Sequence, residues 1–254
     1  MKRRRRQRSK ISSLYIWHRY AGLFAALFAI FISVSGIALN HTDDLKLKKQ
    51  YLSSNILLDL YRVKAPTKVS HFNTVRHRIS QADALLFIDD FPALPITSHV
   101  VGAIELNDIL FIGLHDHLLL IDHQGQVLET ISKLDGVPNN ISRIGINQQQ
   151  HLILLTKTQN YLLTDDFDVS KTKETVGINW SNAVPISQQD KLKLTHQYRS
   201  RIINLETLML DMHSGRFFGA YGHLAFDLIG LVLLFLATTG VIIWFKQRPK
   251  KRSS

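Results

Sequence analysis

The stretch YAGLFAALFAIFISVSGIAL, Tyr20–Leu39, is 20 residues without a charge. At 1.5 Å of helical rise per residue it is about 30 Å long, the thickness of a bilayer's hydrocarbon core. A second uncharged run, LIGLVLLFLATTGVIIWF, spans Leu228–Phe245. Its 18 residues give about 27 Å by the same arithmetic. Trp17 and Tyr20 stand at one boundary and Trp244 at another, where interfacial aromatics collect. The sequence therefore predicts two transmembrane helices. A secretory signal peptide is the rival reading of the first run. Its basic start fits, but 20 apolar residues exceed the usual hydrophobic region of about 7–15.

Charge fixes the direction. The net charge is +11, which alone would suggest nucleic acid. Its distribution argues otherwise. Residues 1–19 hold eight Lys/Arg and no acid, and five more follow Phe245, again with no acid. All 20 Asp/Glu lie between Asp43 and Asp227 with the other 18 Lys/Arg, so the ends carry +13 and the middle −2. Two basic ends around a near-neutral middle are the imprint of the positive-inside rule, not a phosphate-binding groove. Both ends are placed in the cytoplasm and the middle in the periplasm of a bacterial inner membrane. Membrane lipids are the implied contacts, and nucleic acid is not. There is no cysteine, which excludes disulfides, thiol chemistry and Cys-ligated metals.

Between the spans, Asp43–Arg62 reads as an amphipathic juxtamembrane helix, and the polar KAPTKVSHFNTVRHR after it as loop. From about Ala84 to Val169 short apolar runs alternate with turn residues. Leu110–Glu129 and Leu152–Lys171 superpose at a spacing of 42 residues, each reading strand, turn, strand, turn, strand. Such a repeat indicates an antiparallel meander of the kind seen in propeller blades. Two copies cannot close a ring, so six to eight strands in a small sheet or sandwich are expected. Asn179–Thr195 looks irregular, and Gln197–Met212 helical, with Leu205, Leu208, Met209 and Met212 on one face. The predicted fold class is a membrane α+β protein. Its segments are a basic tail (1–19), a first transmembrane helix (20–39), a juxtamembrane helix (40–64), a β-meander domain (65–185), a helical connector (186–216), a second transmembrane helix (217–245) and a basic tail (246–254).

No nucleophile–base pair, phosphate loop or carboxylate pair stands in a recognisable context, so a hydrolase is not indicated. The chain reads as no enzyme on its own. His115 and His117, in HDH, belong to a hairpin turn around Asp116, and no metal is assigned there. Four histidines near the spans are different, because an imidazole near lipid is costly unless paired or ligated. His18 precedes the first span and His41 follows it; His213 and His223 precede the second. Helix rise puts His41 about 32 Å above Tyr20 and His223 about 33 Å above Phe245, so the two are level at the outer face. Haem iron takes two axial ligands at one depth, and this pair meets that condition. Asp227, one turn below His223, is placed to hold its other ring nitrogen. A second reading stands beside this one: His41, Asp43 and Asp44 cap the helix, and His223 with Asp227 lock two helices together.

WHRYAGLFAALFAIFISVSGIALNHTDDL resembles the first helix of PepSY-associated transmembrane proteins, and MHSGRFFGAYGHLAFDLIGLVLLFLATTGVIIWFKQR resembles their last. The likeness covers roughly Leu14–Tyr61 and Asn204–Arg248, with LNHTDD and HSGRFFG its most specific parts. Larger relatives have four or more spans. Some are linked to iron uptake and siderophore reduction and hold b-type haems on membrane histidines. This chain resembles the short, two-span branch. The resemblance carries over to His18, Asn40, His41, Asp44, His213, Gly215, Arg216 and Gly219, while His223 and Asp227 rest on spacing alone. It implies haem b as cofactor, completed in a homodimer, and a redox partner in the periplasm or membrane. The alternative function is a non-enzymatic anchor whose outer domain binds a partner and whose histidines are structural.

Overall fold

The computed structural model describes residues 2–164 and 167–247, with side chains from 15 to 245. The basic run 248–254 and the pair 165–166 lie outside the described residues. The chain divides into two compact units, Met1–Leu52 with Ile203–Ser254, and Ser53–Ile202.

In the first unit α1 (Lys2–Asn40) is one uninterrupted helix. It absorbs most of the expected tail, because KRRRRQRSK contains no helix breaker and is rich in good helix formers. The expected juxtamembrane helix is mostly not helical. A short 3-10 turn at Leu47–Lys49 follows Lys46, whose left-handed φ of 52° breaks the pattern. Leu52 then donates to the Ile203 carbonyl, and Leu205 to the Gln50 carbonyl, so the two passing segments are joined. The helix α4 (Leu205–His213) starts at Asn204, whose side chain accepts from the Thr207 N–H. A 3-10 turn at Arg216–Phe218 leads into α5 (Gly222–Gln247). Tyr15–Asn40 and Gly222–Phe245 are long and apolar enough to cross a membrane.

The second unit begins with the short helix α2 (Asn55–Leu60). Among the described residues, twelve strands then form three successive four-stranded antiparallel meanders, and a thirteenth joins the last sheet. The first sheet is β1 (Val69–Asn73), β2 (Arg78–Ala82), β3 (Leu85–Ile88) and β4 (Leu94–Pro95). The second is β5 (Val100–Leu106), β6 (Ile109–Leu114), β7 (Leu118–Ile121) and β8 (Val127–Ile131). The third is β9 (Arg143–Ile146), β10 (Leu152–Leu155), β11 (Asn160–Leu163) and β12 (Val169–Thr172), with β13 (Asn179–Trp180) beside β9. The 42-residue repeat is real: it aligns β6–β8 with β10–β12. The strands exceed the expected six to eight in part because β1 lies in the segment expected as loop and β2 precedes the expected strand-like region. That second strand, RISQA, buries Ser80 and Gln81. Polar residues inside leave no apolar alternation to read.

The sheets stack face to face. Leu110, Ile112, Leu119 and Ile121 point from the middle sheet into a core shared with Ile79, Leu86 and Ile88. Their neighbours Phe111, Leu118 and Leu120 point the other way, against Ile144, Leu152 and Leu154. A sheet buried on both faces needs apolar residues at consecutive positions, which explains LLLI and LFIGL. The strands β1, β5 and β9 are neighbours at the inner edge. Ser181 ties two of them, its N–H to the Ile144 carbonyl at 2.9 Å and its Oγ to the Ala103 N–H at 2.9 Å. Val184 donates to the His71 carbonyl of β1.

Three blades cannot close a ring, so each end face is covered differently. The helix α3 (Gln188–Arg199) puts Leu194 on Ala82 and Phe87 of the first sheet. On the third sheet a strap runs from β12 to β13. Asn160 Nδ2 donates to the Glu174 carbonyl at 2.7 Å, and Asn147 Nδ2 to Glu174 Oε2 at 3.0 Å. The expected single connector, 186–216, is thus two helices. Its first part caps the β unit and its second belongs to the helical unit.

Candidate functional site in the helix pair

Along α1 and α5, small side chains set the seam. Ala25, Ser35 and Thr239 are almost fully buried. Gly22 faces Leu236, and Phe28 and Phe31 meet the Phe226 ring edge-on. A sharp turn brings α4 back onto α1. Gly215 has φ +78°, and a Cβ there would stand 2.5 Å from the Phe226 ring and 2.7 Å from the Gly222 carbonyl. Only glycine fits, which accounts for the Gly in HSGRFFG.

This packing orders two of the four histidines. His213 Nδ1 lies 2.8 Å from Ser35 Oγ, with its Cε1 against Gly36. His18 Nδ1 lies 2.8 Å from Thr239 Oγ1, with its Cε1 against Gly240. Each imidazole thus rests on a hydroxyl and a glycine of a facing helix. Both hydroxyls also back-bond to their own helix, Ser35 to the Phe31 carbonyl at 2.8 Å and Thr239 to the Phe235 carbonyl at 2.7 Å. A hydroxyl has one proton. With that proton on the carbonyl, its oxygen accepts from the ring, so Nδ1 carries the hydrogen. The reverse assignment would press two proton-less oxygens together. Both rings are therefore held in the tautomer that leaves a lone pair on Nε2, and neither Nε2 takes a hydrogen bond among the described residues.

The other expected site residues lie apart from this arrangement. His41 Nδ1 pairs with Asp44 Oδ2 at 3.0 Å, three residues on, and both are exposed. Asp43 holds Lys48 at 3.2 Å. His223 and Asp227 are exposed on α5, and no hydrogen bond or ion pair joins them. Helix rise fixed their depth but not the direction in which they point. His213 folds back as far as Ser35 rather than to His41. His115 and His117 sit at the β6–β7 turn, bonded to the Ile141 carbonyl and to Asp116.

Imidazoles with Nδ1 anchored and Nε2 open have the donor chemistry of haem ligands. One copy supplies one such ring at each of two levels, about 26 Å apart along the 17 residues from His18 to Ser35. That is half of a bis-histidine set at each level. A hollow of about 400 Å³, lined by Phe24, Phe28, Phe218, Phe226 and Val232, lies in the same helix pair. Its lining is wholly apolar, and no histidine reaches it.

Two apolar helices bracketing a central antiparallel β region, with a histidine-bearing helix seam, define a membrane-associated α+β protein. The sequence model of the PepSY-associated TM region matches residues 1–247. The chain belongs to that family. No curated protein matches it.

Proposed function

We propose that this chain is a haem-linked electron-transfer subunit of the bacterial inner membrane, working as a homodimer and related to iron uptake or reduction. The observation that carries the reading is the shared arrangement of His18 and His213, each with Nδ1 2.8 Å from a hydroxyl that back-bonds to its own helix. A ring held by Nδ1 on a back-bonded hydroxyl presents Nε2 as a ligand in a fixed direction. Each copy gives one imidazole per level, and a two-fold partner gives the second. A b-type haem held between them would supply one-electron chemistry. Ser35 and Thr239 fix ring orientation, and Gly36 and Gly240 leave room for it. The basic ends favour both termini in the cytoplasm and the β unit in the periplasm, where a redox partner would meet it.

The test is the haem-to-chain ratio of the detergent-purified full chain. Two levels per dimer give one haem per chain, and His18→Ala or His213→Ala is expected to halve it. A ratio of zero after expression with ample haem, or one indifferent to both variants, overturns the proposal. That result would favour the second reading, a membrane-anchored binding module. The separate core and capped ends of the β unit support it.

A further inference from the structure

The hollow in the helix pair has a shape and a chemistry that the histidines do not use. Its wall is a run of phenyl rings. Phe24 and Phe28 of α1 lie 5.4 Å apart, Phe28 meets Phe226 of α5 at 6.3 Å, and Phe226 stacks on Phe218 at 5.9 Å. Ile229, 8 % exposed, lines its deep side. The space exists because two lining positions of α5 are Gly222 and Ala225, whose side chains are too small to fill it. Phe24, Phe218 and Leu228 are more than half exposed, so the hollow opens sideways from the helix pair.

Its dimensions match one leaflet. The lining residues of α5 run from Gly222 to Val232. Ten residues of helix rise make that about 15 Å, half of a hydrocarbon core of about 30 Å. Gly222 is also the first residue of the candidate span Gly222–Phe245, so the hollow lies in the half of the bilayer next to the start of α5. Its volume of about 400 Å³ is that of a small-molecule site, about 300–1,000 Å³. Water gains nothing there, because a buried water needs polar partners and the lining has none. In a bilayer the apolar groups at hand are acyl chains.

A cation stands at the mouth. Arg216 begins the turn Arg216–Phe218, two residues before the Phe218 ring. It is exposed, and its guanidinium has no hydrogen bond or ion pair among the described residues. A guanidinium takes a phosphate through two parallel N–H donors. Asp227, the acid on α5, does not line the hollow. We propose that the hollow binds one phospholipid, with an acyl chain along the phenyl rings and the phosphate on Arg216. This site does not depend on haem. A quinone-like head group would find no donor in the lining. A second copy docked here about a two-fold axis would bring a hollow rather than a knob, and its Arg216 to the same level, like charge against like.

Native mass spectrometry of the delipidated full chain in detergent tests this, with dioleoylphosphatidylglycerol, dioleoylglycerol and oleate as probes. One phosphatidylglycerol per chain is expected. Dioleoylglycerol, which lacks the phosphate, is expected to bind about tenfold more weakly, the worth of a charged hydrogen bond. Arg216→Gln should erase that preference. Ala225→Phe, at an exposed position, should fill the hollow and weaken both lipids. No phosphatidylglycerol adduct, dioleoylglycerol binding as tightly, or binding indifferent to Ala225→Phe overturns the proposal. So does oleate binding as tightly, which marks a free fatty acid as occupant, or a dimer that Ala225→Phe breaks, which marks a second copy. The comparison of probes on the unmodified chain decides even if a variant misfolds.

Discussion

Ser35 and Thr239 are small residues with one job each at the helix seam. Each gives its proton to a carbonyl one turn back and takes a proton from a histidine. Ser35→Ala or Thr239→Ala removes the acceptor and frees the ring's tautomer. Loss of the partner that orients a ligating histidine lowers metal affinity by about 10–100-fold. The expected outcome is faster haem loss to a scavenging apoprotein, with the variants still folded. Asp83 is the corresponding residue in the β unit. The Lys68 and Thr67 N–H groups, the Thr67 hydroxyl and the Tyr198 hydroxyl all donate to its carboxylate, and its pKa is lowered from 3.8 to about 2. A carboxylate depressed on folding adds stability above its unfolded pKa, and that stability is lost as pH falls. The window lies between about pH 4 and 2. Thermal unfolding of the full chain should weaken through that window, and Asp83→Asn should flatten the dependence.

Among the elements, the second and third sheets approach each other closely. A Cβ on Gly113 would stand 2.6 Å from Ile144 Cγ2, and one on Gly102 2.7 Å from Ile144 Cγ1. Ile144 therefore fills a niche made by two glycines on adjacent strands. Gly113→Ala overpacks it and should cost about 1–3 kcal/mol in denaturant unfolding. Adding Ile144→Val should return part of that loss, because residues in contact are not additive. Nothing in the letters around GAIELNDILFIGL reveals this partner 31 residues on. The apolar strands themselves were readable, because a sheet buried on two faces writes an unbroken apolar run. The strands β1 and β2 were not, because they hide His71, Ser80 and Gln81 inside. The seam was half readable. His18 and His213 stood among the four histidines near the spans. The depth argument singled out His41 and His223 among the four candidate histidines, since depth says nothing of direction, and the turn that returns His213 to α1 depends on Gly215.

At the scale of the whole molecule, the chain is two units on one thread. The β unit runs from Ser53 to Ile202 because α3 supplies its cover. A fragment of residues 53–202 is expected to unfold cooperatively in solution. The shorter 65–185, which lacks Leu194 and Tyr198, should expose Ala82 and Phe87 and aggregate. Size-exclusion chromatography with circular dichroism separates the two outcomes. The helical unit holds the central claim, that His18 and His213 ligate haem. The reduced-minus-oxidised absorption spectrum of the full chain in detergent tests it most directly. Split α and β bands with a Soret shift are expected, retained in His41→Ala with His223→Ala and lost in His18→Ala with His213→Ala. A flat spectrum from the unmodified chain, or one unchanged by losing His18 and His213, would contradict it.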